Sequence, residues 1–177
     1  MMSSPELARV ARRPDGPPEG LLSVFYVEVE AWNKAEAFGE RLRELVAAGL
    51  KACMEADFQA ETVSEADVPA WSADAWLKAA PKYAAHRGDE EWTVQDFLFS
   101  FEPGQRTWAW WDVTLSCGNV ACIWVDSGGE PVFGCEELRW MAYVAGARSL
   151  VGPLLREADE WERSESLGVR SGNDLQT

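Results

Sequence analysis

The stretch RTWAWWDVTLSCGNVACIWVD, residues 106–126, decides the fold. Two runs rich in aromatic and β-branched residues, 106–117 and 120–126, flank Gly118-Asn119, a dipeptide suited to a two-residue β-hairpin loop. With that loop, Cys117 faces Val120, Leu115 faces Cys122, Val113 faces Trp124 and Trp111 faces Asp126. This face is almost wholly apolar and is expected in the core. The opposite face pairs Thr114 with Ile123 and Asp112 with Val125, and adds Trp108 and Trp110. An antiparallel sheet with one wet side alternates apolar and polar residues, yet here both faces carry aromatics. Either helices cover both faces, or the second face is an exposed aromatic floor used for binding.

Working upstream, residues 92–101 place Phe97, Phe99 and Phe101 in alternation, and the aromatic content favours a strand. Thr93 with Asp96 three residues later also fits a helix cap. Ser72 reads as the N-cap of a short helix through Trp76 and Leu77, ended or kinked by Pro81, with Gly88 closing the following turn. Phe58–Val63 reads as a short edge strand. The clearest element is a helix after Asn33, which forms a capping-box pattern with Glu36. Its apolar face is Phe38, Leu42, Leu45, Val46, Leu50, Cys53 and Met54. Leu21–Ala31 is a strand by composition and alternation.

Downstream, residues 127–130 are a turn and 131–133 a return strand. Glu136–Ala145 is a helix. A further helix is expected from about Ser149 to Arg163, with Pro153 in its first turn. The order predicts an α+β fold: an antiparallel meander of about four to five strands with helices packed mainly on one face. Residues 1–20 read as a flexible arm, 21–163 as one α+β domain and 164–177 as a flexible tail.

The chain has 177 residues, with 30 Asp and Glu against 16 Lys and Arg, a net charge of −14. Hydrophobic residues make up 47% of it, enough to build a core. No run reaches the roughly 18 apolar residues of a membrane span. The acidity argues against a phosphate-backbone partner, which needs a Lys/Arg footprint. With no secretory leader pattern, Cys53, Cys117, Cys122 and Cys135 are expected as buried, reduced thiols in a cytoplasmic protein. Their spacing does not suit a zinc site, and the sequence calls for no metal or cofactor. His86 is the lone histidine, and no catalytic or nucleotide-binding motif accompanies it. Glu28, Glu30 and Asp112 read as outward carboxylates.

Residues 52–77 contain six acids and no Lys or Arg. Unpaired carboxylates are too costly to bury, so this segment belongs at the surface. The composite reading is a non-enzymatic acidic interaction module for a basic protein partner, of the immunity or antitoxin type. Acids steer the encounter and aromatics anchor it. Its candidate partner-binding residues are Asp57, Glu61, Glu65, Asp67, Trp71, Trp108 and Trp110. Two alternatives remain: a small-ligand domain or enzyme with an aromatic-lined pocket between sheet and helix, and a structural subunit that oligomerises through the aromatic sheet face.

Overall fold

The computed structural model describes residues 4–87 and 92–169, with side chains left out at 85–87, so Gly88 and the side chain of His86 lie outside the described residues. The fold is α+β. Five strands, β1 (Leu22–Glu28), β2 (Ala109–Cys117), β3 (Val120–Asp126), β4 (Ser149–Arg156) and β5 (Glu165–Ser166), form one open sheet. The order is β4-β1-β3-β2-β5, and every pairing is antiparallel. Helices α1 (Pro5–Ala11), α2 (Ala35–Glu55), α3 (Ser72–Arg87), α4 (Val94–Phe99), α5 (Glu136–Ala145) and α6 (Asp159–Glu162) complete it.

The hairpin β2–β3 forms where the sequence places it, but its register slips. Cys117 does pair with Val120, yet Leu115 pairs with Ala121, Val113 with Ile123, Asp112 with Trp124 and Trp110 with Val125. Irregularities at Ser116 and Trp111 each add a residue to β2. Because side chains alternate with period two, one extra residue exchanges the faces. Of the two loop residues, Gly118 alone takes the left-handed conformation, at φ +56°. Asn119 is held instead by the end of β1: its side-chain amide donates to the Val29 carbonyl at 2.9 Å, and its own carbonyl accepts from Val29 N at 2.9 Å.

Val113, Ala121, Ile123 and Val125 therefore join Phe25 and Val27 against Leu42, Leu45 and Val46 of α2 and Leu138 and Met141 of α5. Cys122 and Trp124, expected beneath α2, lie on the opposite face with Leu22, Val24 and Trp161. Trp161 of α6 covers that face, where its ring meets Trp111 edge-on at 5.9 Å.

Other elements depart from expectation for local reasons. The segment 92–101 holds helix α4, not a strand: Thr93 and Asp96 complete a reciprocal capping box. Segment 149–163 is strand β4 followed by the single turn α6. Pro153 lacks a ladder N–H, and an edge strand tolerates that. Gly152 sits at φ +133° where a Cβ would lie 2.7 Å from the Val24 carbonyl. Residues 58–63 make no strand. Instead the Gln95 side chain supplies the two bonds a neighbouring strand would give, accepting from Val63 N and donating to Val63 O, each at 2.9 Å. Residues 131–133 also form no strand. At the start of α2, a 3-10 turn over Trp32–Lys34 displaces the Asn33 cap, and the Glu36 carboxylate accepts from Gly168 N. Met54, placed on the inner face by periodicity, is 47% exposed where α2 runs past the core.

Within residues 1–20, α1 finishes the β2 edge. Trp110 N donates to the Glu6 carboxylate at 2.6 Å, and Arg9 Nε donates to the Trp110 carbonyl at 2.9 Å. Two side chains thus satisfy edge groups that would otherwise invite another strand. In the stretch after residue 163, read from its polarity as a tail, Glu165–Ser166 pair with β2, and Leu167 is buried. Leu167 N donates to the Val113 carbonyl at 2.8 Å. A two-residue strand is too short for any alternation to reveal it.

Candidate functional site

Helix α3 carries the most open apolar surface near the acidic segment. Trp76 and Leu77 are adjacent, so on a helix their side chains diverge by about 100° and cannot both face the core. Trp76 turns inward and stacks on Trp140 of α5, with centroids 3.4 Å apart and planes 22° from parallel. Leu77 turns outward and is 78% exposed. Pro81 does not end the helix, which continues to Arg87. The hydrogen bond it forgoes is to the Leu77 carbonyl, on the same open side.

Beside α3 runs a groove of about 870 Å³, lined chiefly by Val68, Pro69, Trp76, Leu77, Pro81 and Trp92, with Glu65 at its rim. Behind this wall a file of rings crosses the interior. Trp92 and Phe97 approach Trp140 at 5.9 and 5.7 Å, Phe97 meets Phe101 at 5.3 Å, and Phe101 meets Trp108 at 6.2 Å. Such pairs add to burial alone, and they hold the groove wall rigidly on the core.

The sequence-derived site residues separate into two groups. Asp57, Glu61, Glu65 and Asp67 are all exposed, as the burial cost of carboxylates requires. Glu65 accepts from Gln95 Nε2 at 2.8 Å, and Asp67 makes a loose, exposed pair with Lys51 at 3.9 Å. Trp71 is half-buried: its Nε1 donates to Glu44 at 2.7 Å, and Arg41 lies 5.2 Å over its ring. Trp108 and Trp110 are corrected as surface anchors, at 3% and 0% exposed. The bulge at Trp111 and the cover of α1 and α5 bring both into the core. Trp108 Nε1 donates to the Glu137 carboxylate, and Arg106 lies 4.9 Å over the Trp108 ring.

Asp112 is likewise corrected from an outward carboxylate to a fully buried one. Arg43 donates to its Oδ1 at 2.5 Å, while Trp161 Nε1 and the Ser166 hydroxyl donate to Oδ2 at 2.8 and 2.5 Å. This network joins α2, β2, α6 and β5, and it fastens the fold. Burial holds the Glu137 carboxyl above the ordinary carboxylate range, against the opposing Trp108 hydrogen bond.

A second cleft of about 440 Å³ opens on the other sheet face, between Thr114, Ser116, Cys122 and Glu160. Tyr26 OH donates to Glu160 at 3.2 Å, and burial together with that carboxylate raises the phenol's pKa. The Cys122 thiol is pushed up to about 12 by burial, so it is no nucleophile near neutrality. Cys117, expected buried, is exposed at the hairpin end. Among the described residues, no three His, Cys, Asp or Glu side chains gather as a metal site, and no helix is long and apolar enough to cross a membrane.

The sequence reading missed the α3 groove, although the adjacent Trp76 and Leu77 were the available signal. No protein-family model, curated protein or solved structure matches the chain.

Proposed function

We propose that this chain is a non-enzymatic, acidic protein-interaction module that takes a basic protein partner, as an inhibitor of the immunity or antitoxin type does. One observation carries the reading. Exposed Glu65, flanked in sequence by exposed Glu61 and Asp67, lines an apolar groove whose lip is the 78% exposed Leu77. Acids at a rim steer a positive partner, and desolvation of the apolar floor retains it. The net charge of −14 extends the steering field over the molecule.

The test starts with affinity capture from native lysate and identification of the bound protein. Association and dissociation rates are then measured over a salt series. A basic partner is expected. Reversing Glu61, Glu65 and Asp67 to Lys should slow association and flatten its salt dependence. Leu77→Asp should speed dissociation, worth about 2 kcal/mol or more if Leu77 is an anchor. An acidic partner, or kinetics indifferent to both variants, overturns the reading.

The volume of the groove supports a second reading, a small apolar ligand, because about 300–1,000 Å³ is the usual range for such sites. A compound that raises the melting temperature of the wild type and not of Leu77→Asp would favour it.

A further inference from the structure

On the far flank of α3 lies a site of opposite sign. Fourteen of the sixteen Lys and Arg side chains are described. Nine of these hold a hydrogen bond or an ion pair: Arg9, Arg12, Arg13, Arg43, Lys51, Arg106, Arg139, Arg156 and Arg163. Five described cations hold neither: Lys34, Arg41, Lys78, Lys82 and Arg148. Three of the five, Arg41, Lys78 and Lys82, line one pocket of about 300 Å³ between α2, α3 and the end of α5.

We infer that this pocket is a binding site for a small phosphate-bearing anion, a phosphomonoester or free phosphate. Here Lys78 and Lys82 stand four residues apart on one helix face, an arrangement that is mutually repulsive and weakens a helix unless an anion offsets it. Among the described residues the one carboxylate in the lining is Asp74, and it makes no ion pair within 4 Å with Lys78. The described lining therefore carries two net positive charges. Glu44, which lies outside the described lining, is engaged by Trp71 Nε1.

Arg41 is held over the Trp71 ring, and buried Tyr143 forms part of the floor. A cation fixed on an aromatic face loses less freedom on binding an oxyanion than a free surface lysine does. Charge-assisted bonds from Arg and Lys to phosphate oxygens are the strong class of hydrogen bond. The overall negative field does not prevent this, because it is screened over about 8 Å at physiological salt while the three cations act at contact. This inference stands apart from the groove proposal, and either can fail without the other.

The experiment titrates the full chain with inorganic phosphate and separately with phenyl phosphate, against sodium chloride at matched ionic strength. It follows the Trp71 indole N–H and the backbone amides of α3 by NMR. A saturable shift centred on Trp71 and residues 78–82 is expected. In the Lys78→Ala, Lys82→Ala double variant the affinity should fall about tenfold or more, while Lys34→Ala leaves it unchanged. Alanine keeps helix propensity at these exposed positions. If the double variant nevertheless alters the amide spectrum, Lys78→Gln and Lys82→Gln singly repeat the comparison. Tighter phenyl phosphate would identify the site as one for aromatic phosphomonoesters, and equal affinities one for the phosphate alone. Shifts that chloride reproduces, no binding of either probe, or affinity unchanged without the two lysines overturns the inference.

Discussion

Arg43 of α2 and Asp112 of β2 meet at 2.5 Å, with Asp112 fully buried and Arg43 nearly so. The pair is not isolated. Arg43 also donates to the carbonyls of Leu167 at 2.7 Å and Val10 at 3.0 Å, and Arg13 stands 3.6 Å from Asp112 while lying over Trp161. One guanidinium thereby ties residues near both ends of the chain to the middle of the sheet. Its carboxylate partner raises the guanidinium's pKa, but desolvation lowers it more, so the net shift is downward.

Removing one partner leaves an uncompensated buried charge. Arg43→Met should cost about 3–5 kcal/mol in urea unfolding. It should also speed amide exchange at residues 8–11 and 165–167, which lose their shared anchor. Replacing Arg43 and Asp112 together with apolar residues should recover much of the loss. A double variant as unstable as the sum of the singles would show that the pair is not the organising contact.

The two faces of the sheet are packed separately. Leu45 lies in the large cluster beneath α2, and Trp124 in the small one beneath Trp161. Truncating either to Ala should cost about 2–5 kcal/mol through lost transfer energy and a cavity. Their effects should add within about 0.5 kcal/mol, because they share no partner. Thermal and urea melts of the three variants check this, and strong coupling would place them in one core.

The Glu137 carboxyl is raised by burial above its ordinary 4.5. The folded state therefore binds this proton more readily than the unfolded chain. Stability from this group falls as pH rises from about 4.5 through the raised folded value and is lowest above it. Glu137→Gln keeps an acceptor for Trp108 Nε1 and removes the charge. It should stabilise the protein at pH 7, with an advantage that shrinks as the pH approaches 4.5. Urea midpoints across that range measure it, and a constant difference would assign the effect to packing.

Thiol labelling reads burial directly. Cys117 is exposed, Cys53 half-buried, and Cys122 and Cys135 buried with raised pKa values. At pH 8 a maleimide or disulfide reagent should modify Cys117 fastest in the native protein. Cys122 and Cys135 should react only with global unfolding. Rapid modification of Cys122 would mean that Trp161 does not cover its face.

Long elements were legible in the sequence because their pattern repeats. The apolar positions of α2 from Phe38 to Leu50 recur at helical spacing and are buried as the period requires. The acid-only run from Glu55 to Asp74 specified an exposed segment, since no cation within it could offset burial. Two elements were legible but ambiguous. Phe97, Phe99 and Phe101 alternate like a strand, and only the Thr93–Asp96 cap distinguishes the helix. Ser149–Arg156 lacks any alternation that would outweigh a Pro at a helix start.

The sequence by itself determined the α+β class, the hairpin at Gly118, the inner face of α2 and the exposure of the acids. All of these follow from local periodicity, turn chemistry and the cost of burying charge. Tertiary structure alone decided which side of the sheet each aromatic occupies. Two single-residue bulges in β2 exchange its faces, and their sites depend on partners distant in sequence: Asn119 held by Val29, and Trp110 capped by Glu6 and Arg9. The cover of α1 and α5 buries Trp108 and Trp110, and the stacking of Trp76 on Trp140 leaves Leu77 outside. Which face of a sheet an aromatic occupies, and whether that face is core or surface, depends on register and on what packs over it, and alternation within one strand does not carry that information.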